Sequence, residues 1–357
     1  MSETHQLLVS ASPGDAVTKY AFEVRSILRE FGDSELFALH IHPSLFEEVT
    51  PLRKYRQRAG GARYLLFHSS IGDPPVHSFL LDRPEEIILM YHNITPAHYF
   101  EEFDPNFARL LDLGRSQLTT LRPRVPLAIA DSGFNAEELR TLGYQEIQVS
   151  PPIVDFQRLL SVEPHQGTMN HFKEGVVGPL ILFVGQLLPH KRPDLLVQAL
   201  HVLSTYHEPD AFLTMIGRSR IPRYRGGLQT FINELNLDSS WLTDSVRDEE
   251  LAAFYKSAKL FATASEHEGF CVPLLEAMAF EIPIVARRYG AIPETVGDAG
   301  ILLDPGDGPE ILAETMATVL QDMELRNHLT ALGRERLKDF DPGLIGAGLR
   351  EILAALF

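Results

Sequence analysis

Short apolar runs alternate with amphipathic stretches along almost the whole chain. Runs at QLLVS (6–10), ELFALH (35–40), YLLFH (64–68), IILMYH (87–92), PLAIA (126–130) and EIQVS (145–149) predict strands in the first half. LILFVG (180–185), AFLTMIG (211–217), KLFATA (259–264), PIVAR (283–287) and AGILL (299–303) predict them in the second. Near-continuous apolar strands are covered on both faces, as parallel sheets require. Helical spacing fills the gaps at 15–31, 105–122, 135–142, 192–206, 248–257, 273–281, 309–321 and 322–339, with a last helix over 343–356. This alternation predicts an α/β fold of right-handed βαβ units in doubly wound parallel sheets. The polar stretch 161–178 breaks the pattern, which places a linker at 166–178 between domains 1–165 and 179–340, with 341–357 as a closing helix. Two such domains are expected to face each other across a cleft.

Composition changes this picture in three places. A net charge of −16 over 357 residues repels nucleic acid phosphates, so a DNA or RNA partner is not expected. Against that average, PLRKYRQRAGGAR (51–63) carries Arg53, Lys54, Arg56, Arg58 and Arg63 with no acid. It reads as a solvated basic surface, or as a peripheral contact with anionic lipid headgroups or an acceptor phosphate. The single cysteine, Cys271, forms no internal disulfide and fits a reducing compartment. With no signal-peptide pattern at MSETHQLLVS and no apolar run of about 18 residues, the expectation is a cytoplasmic protein, with the basic segment offering a peripheral place at the inner membrane face.

In open α/β sheets, ligands bind beyond the carboxyl ends of the strands. Those positions hold His40 and His42, His68-Ser69-Ser70, His92-Asn93 and Asp131-Ser132 in the first half. In the second they hold Gly185-Gln186, Gly217-Arg218 and Ser265-Glu266-His267-Glu268-Gly269. Recurrent hydrogen-bonding side chains there suit a polyhydroxylated ligand. The segment LFATASEHEGFCVPLLEAMAFEIPIVAR (260–287) is the most informative. A strand ends, a polar loop follows, and Pro273 opens a helix, so the amides of Gly269, Phe270, Cys271 and Val272 form an anion site suited to a diphosphate. Glu276, one turn in, could accept from two vicinal hydroxyls, and Glu268 from those of a sugar. The competing reading is a capped helix with two surface acids.

The run Glu268-Gly-Phe-Cys-Val-Pro-Leu-Leu-Glu276-Ala-Met-Ala resembles the retaining GT-B glycosyltransferases of family 4, as do Pro283-Ile-Val-Ala and Gly290-Ala-Ile-Pro-Glu-Thr-Val. Gly185-Gln-Leu-Leu-Pro-His-Lys191-Arg-Pro-Asp is similar to their phosphate-contacting segment, and Leu251-Ala-Ala-Phe-Tyr-Lys-Ser-Ala also matches. The first half resembles them more loosely, at Ser12-Pro-Gly-Asp-Ala, Tyr91-His-Asn-Ile-Thr-Pro and Ala130-Asp-Ser-Gly-Phe-Asn.

The resemblance implies two Rossmann-like domains, acceptor-side then donor-side, the last helix crossing back to the first. It implies transfer of a hexose from a nucleoside diphosphate sugar, GDP-mannose or a UDP-hexose being the first choices, to a glycan or lipid-linked acceptor. Transfer would retain the anomeric configuration and need no metal or other cofactor. Carried over by residue, Glu268 binds sugar hydroxyls, the Gly269, Phe270, Cys271 and Val272 amides meet sugar and β-phosphate, and Glu276 holds the ribose. Lys191 meets the diphosphate, His92 reaches the transferring sugar, the loop at Gly14 closes near the phosphates, and Arg218 and Val246 neighbour the base. Where relatives carry Arg, this chain has Gln186, so Lys191 acts alone, or Arg192 or Arg218 compensates, or donor binding is weaker. His92 could equally be a satisfied core histidine, and His68 and Ser132 read either as acceptor contacts or as packing. Cys271 reads as a space-filling residue. The Asp-x-Asp at Asp339-Phe340-Asp341 reads as a helix end and an N-cap, not a metal site. Among rivals, a dehydrogenase lacks its G-x-G-x-x-G. A sugar-nucleotide epimerase or a non-catalytic sugar-nucleotide-binding protein shares the shape.

Overall fold

A computed structural model describes residues 3–55 and 62–356. They divide into two compact units: the chain up to Ile153 joined by the stretch from Phe340 onward, and Val154–Asp339.

Unit one is built on β1 (Thr4–Ala11), β2 (Leu36–Ile41), β3 (Thr50–Pro51), β4 (Tyr64–Ser69), β5 (Glu86–Tyr91), β6 (Leu127–Ala130) and β7 (Ile147–Val149). The sheet order is β3-β2-β1-β4-β5-β6-β7, with every described pairing parallel. Its helices are α1 (Ala16–Leu28), α2 (Pro74–Leu81), α3 (Pro105–Leu121) and α4 (Gly133–Thr141). Local chemistry starts each one. Asp15, Asp73, Asp104 and Ser132 accept from the backbone N–H three residues on, which satisfies a donor the helix cannot pair itself.

Unit two carries β8 (Leu180–Val184), β9 (Phe212–Ile216), β10 (Ser240–Thr243), β11 (Leu260–Thr263), β12 (Ile284–Arg287) and β13 (Gly300–Leu303). Their order is β10-β9-β8-β11-β12-β13, again parallel throughout. The helices are α5 (Phe156–Ser161), α6 (Gln166–Gly175), α7 (Pro193–Tyr206), α8 (Pro222–Glu234), α9 (Asp248–Ser257), α10 (Val272–Ala279), α11 (Ile292–Val296), α12 (Pro309–Gln321) and α13 (Met323–Arg336). Leu196, Leu200 and Leu203 of α7 and Leu312, Ala313 and Met316 of α12 close one face of the sheet over Ile181, Phe183, Leu213 and Met215.

The chain then returns to unit one. In α14 (Pro342–Ala354), Leu349 and Leu353 are fully buried in one core with Tyr20, Val24, Ile27 and Leu28. Asp341 Oδ1 caps this helix through the amides of Gly343 and Leu344, and Asp339 pairs with Arg336, so both acids of the Asp-x-Asp have structural partners.

Each predicted strand is present within two residues of its expected bounds. The linker expectation is overturned. The chain divides between Ile153 and Val154, and residues 166–175 form α6, whose Phe172 packs on Phe254 of α9 at 5.4 Å between ring centroids. A single large buried side chain among polar neighbours left too little periodicity to read as a helix. Strands β3 and β10, also unpredicted, are the edges of their sheets, where short and half-polar sequences suffice. Of the basic stretch 51–63, Arg56 and Arg58 lie outside the described residues. Within them, Arg63 faces Glu86 at 3.8 Å and stacks on Tyr64.

Candidate active site

In each sheet the chain order reverses once, between β1 and β4 in unit one and between β8 and β11 in unit two. Loops that leave neighbouring strands in opposite directions open a crevice at such a point. In unit two, the loop after β8 leads through Gln186 to a turn at Pro189–Lys191, and α7 starts behind Arg192, whose φ of 49° is left-handed. The loop after β11 carries Glu266, His267 and Glu268 into α10. The two loops are sewn together where the Glu266 amide donates to the His190 carbonyl at 2.7 Å.

Across this junction Lys191 Nζ lies 2.5 Å from Glu268 Oε2, with the side chains 19% and 7% exposed. Behind the pair, Glu266 is held between Arg192 and Arg287 at 2.5 and 3.0 Å. Arg192 also donates to both oxygens of Asp194. With two carboxylates already in hand, Arg192 is not a spare cation for Gln186. Gln186, Arg218 and Val246 follow the ends of β8, β9 and β10, Gln186 and Arg218 exposed and Val246 half-buried. Gly217 is required by close approach, since a Cβ there would meet the Gly185 oxygen at 2.0 Å.

The Glu268 loop has its own backbone brace. The Ala291 amide donates to the Glu268 carbonyl at 2.9 Å and Thr295 Oγ1 to the Phe270 carbonyl at 2.7 Å. Gly290, at φ 55°, passes so close that a Cβ would lie 2.3 Å from that Glu268 oxygen. In a trans peptide the N–H points opposite its C=O. The amides of Gly269 and Cys271 are therefore directed away from α11, at the N-terminal end of α10. Cys271 is the N-cap in a left-handed conformation at φ 75°, and Val272 and Pro273 open the helix. Burial pushes the Cys271 thiol well up, with Glu268 adding to the effect, so it stays protonated and fills space. One turn on, Glu276 Oε2 accepts from the Tyr255 hydroxyl at 2.7 Å.

Unit one gathers a second constellation. His68 Nε2 faces Gln6 Oε1 at 2.8 Å, His68 Nδ1 faces His92 Nε2 at 2.8 Å, and His92 Nδ1 faces Asp131 at 2.9 and 3.1 Å. An amide oxygen only accepts, so His68 carries its proton on Nε2. Burial, with His92 next to it, holds the His68 imidazole well below its ordinary titration range, so the ring is neutral and Nδ1 accepts from His92. His92 lies between this ring and the Asp131 carboxylate. Its side chain is 4% exposed, so reaching a sugar hydroxyl would mean exchanging one of these bonds. Ser132 is buried and caps α4 through its hydroxyl, and His68 is fully enclosed, so neither offers an acceptor contact. Gly14, at φ 76° before α1, has no neighbour that a Cβ would strike; only its backbone angle calls for glycine.

The structure thus brings Lys191, Glu268, Gly269, Phe270, Cys271, Val272 and Glu276 into one end of unit two, and His68 with His92 into unit one. Sequence reasoning passed over Gln6, Tyr255 and Arg287. Gln6 is a polar residue inside an apolar strand, which is a usable signal. Tyr255 stands in the 251–258 run that carries the resemblance, where nothing in the sequence singles it out.

Residues 170–336 match the family described as glycosyl transferases group 1. Unit two is a group 1 glycosyl transferase domain. The O-antigen chain mannosyltransferase B of Escherichia coli is 33% identical over 164 residues, 44% of this chain and 41% of that protein. The D-inositol 3-phosphate glycosyltransferase of Corynebacterium efficiens is 33% identical over 170 residues, 45% and 39% of the two chains. The match therefore spans about two-fifths of the length of these relatives. Among solved structures, Anabaena HepE in complex with UDP and glucose superposes with a TM-score of 0.79 at 18% identity, over 99% of this chain and 100% of that one. WaaG, a glycosyltransferase involved in lipopolysaccharide biosynthesis, gives 0.72 at 14%, over 98% and 99%. These likenesses identify the GT-B fold, two Rossmann-like parallel-sheet units. No helix of the described residues is long and apolar enough to cross a membrane.

Proposed function

We propose that this chain transfers a hexose from a nucleoside diphosphate sugar to a glycan or lipid-linked acceptor, with retention of configuration and without a metal. The observation that carries the reading is the Lys191–Glu268 pair at the β8/β11 reversal, beside the N-terminal end of α10, the helix that carries Glu276 one turn in. A cation and amides aimed at one place suit a diphosphate. Two carboxylates flanking it suit the hydroxyls of a sugar on one side and a ribose on the other.

In the reaction so proposed, the bond between the anomeric carbon and the β-phosphate oxygen breaks through an oxocarbenium-like state. Lys191 and the Gly269 and Cys271 amides take up the growing charge of the leaving diphosphate, stabilisation that is in place beforehand. Glu268 accepts from the sugar hydroxyls and orients the ring. The acceptor oxygen forms its bond from the same face, and its proton passes to the departing phosphate, so no protein nucleophile is required. Asp339 and Asp341, already used in helix-end contacts, take no part. Mannosyltransferase among the relatives and a UDP-glucose complex among the structural neighbours make GDP-mannose and UDP-glucose the first donors to try. A cytoplasmic site of action, with the basic stretch 51–63 against anionic headgroups, fits the same reading.

The test is release of nucleoside diphosphate from each donor in EDTA, with lipid and glycan extracts as acceptor source. Acceptor-stimulated release that is lost in Lys191→Ala supports the proposal. Interconversion of donor sugars without any acceptor would replace it with epimerase chemistry.

A further inference from the structure

Tyr255 is a fully buried tyrosine whose hydroxyl is spent on a carboxylate of the candidate site. Its ring is stacked within 13° of parallel on Phe280 at 5.1 Å and within 16° on Phe261 at 6.4 Å. A phenol so enclosed needs an acceptor, because an unpaired buried hydroxyl is costly. The acceptor is Glu276 Oε2 on the neighbouring helix α10, at 2.7 Å, and Glu276 itself is only half-buried. Burial raises the Tyr255 phenol far above its ordinary range, so it remains a donor at any working pH. Arg158, paired with Asp248 at the start of α9, adds positive charge within electrostatic reach of the same carboxylate.

We infer that Tyr255 is a positioning residue for the nucleotide's ribose: its rigid hydroxyl locks the Glu276 carboxylate in the orientation that receives two vicinal hydroxyls, so the site favours ribonucleotides over 2′-deoxyribonucleotides. The inference rests on the reading of Glu276 given under the proposed function. A glutamate carries three rotatable bonds, and fixing them before binding removes an ordering cost that the ligand would otherwise meet. A 2′-deoxyribose offers one hydroxyl fewer and draws less from the fixed carboxylate. A carboxylate has two oxygens and about four acceptor positions, and the phenol takes one position on Oε2.

The test is equilibrium binding of UDP, 2′-deoxy-UDP, GDP and 2′-deoxy-GDP to the full chain as wild type, Tyr255→Phe, Glu276→Gln and the double variant. Tyr255→Phe keeps the stacked ring and removes the hydroxyl alone, and its melting temperature checks that it folds. The inference expects the tighter-bound ribonucleotide to lose roughly 5- to 10-fold in Tyr255→Phe, its deoxy counterpart less than about twofold. In the Glu276→Gln background, Tyr255→Phe should add nothing further, a non-additive result that remains readable even if the single variant is destabilised. Equal weakening of ribo and deoxy ligands, or an unchanged ribose preference, overturns the role of Tyr255. If nucleotides bind yet Glu276→Gln leaves the ribose preference intact, the Glu276 assignment fails, and the inference with it.

Discussion

Lys191 Nζ is 2.5 Å from Glu268 Oε2, so the cation best placed to meet a diphosphate is neutralised by a carboxylate of its own site. Any phosphate that binds Lys191 must compete with Glu268. Glu268→Gln should therefore tighten binding of the bare nucleoside diphosphate roughly 3- to 10-fold while lowering sugar transfer about 100-fold or more. Lys191→Ala does the reverse to the pair: it strands a buried carboxylate, which should lower stability by about 3 kcal/mol and abolish diphosphate binding. Calorimetry and a urea titration read both. Weaker nucleotide binding in Glu268→Gln would refute the competition.

Gly290 is the backbone device that holds Glu268 in place. Its φ of 55° and the 2.3 Å separation a Cβ would have from the Glu268 oxygen leave no room for a side chain. Gly290→Ala should cost about 1–3 kcal/mol in stability and displace the loop. The variant should lose donor binding while residual unit-two helicity persists, measurable by circular dichroism beside calorimetry. A variant with wild-type stability and binding would show that the close approach is not required.

Acid should destabilise the fold through buried histidines. Burial holds His68 and His190 well below their ordinary values in the folded chain. The unfolded chain, titrating near 6.5, takes up those protons first. The stability that neutral burial supplies is thus fully present above about pH 6.5, and it falls as the pH drops towards the folded values, at up to about 1.4 kcal/mol per pH unit for each histidine. Urea midpoints should decline from pH 7 to pH 5, less steeply in His68→Phe if that variant folds. A flat profile in the parent would contradict the account.

The relay in unit one makes a prediction about proton placement. With Gln6 Oε1 facing it, His68 should be the neutral Nε2–H form, and ¹⁵N-detected NMR at neutral pH distinguishes this from Nδ1–H. Asp131→Ala leaves the buried His92 Nδ1 without its partner and should cost about 1–3 kcal/mol of stability in unit one's unfolding, about the penalty of an unmet buried hydrogen bond. An Nδ1–H ring at His68 would reverse the direction assigned to the relay.

The central strands of both sheets were legible because they are runs of apolar residues buried on both faces, which few other structures tolerate. Lys191, Glu268 and Glu276 were legible as residues because polar side chains at strand and helix ends have little structural work to do. What the sequence left hidden was pairing. Nothing in the spacing of Lys191 and Glu268 says that they touch, nor that Arg192 is taken up by Asp194 and Glu266. Gln6, His68, His92 and Asp131 lie on or just beyond four adjacent strands, and only the sheet order β1-β4-β5-β6 brings them into one line. Helix α6 escaped notice because its burial rests largely on Phe172, and β10 because an edge strand needs one buried face at most.

The central claim is that unit two holds a nucleoside diphosphate sugar without a metal. The most direct measurement is calorimetric titration of the full chain with UDP, GDP, dTDP and ADP and their common sugars in the presence of EDTA, beside Glu276→Gln. The account predicts that one nucleotide binds well in EDTA and that the substitution weakens it at least several-fold. A folded sample that binds none of them, or binds only when a divalent cation is restored, would contradict it.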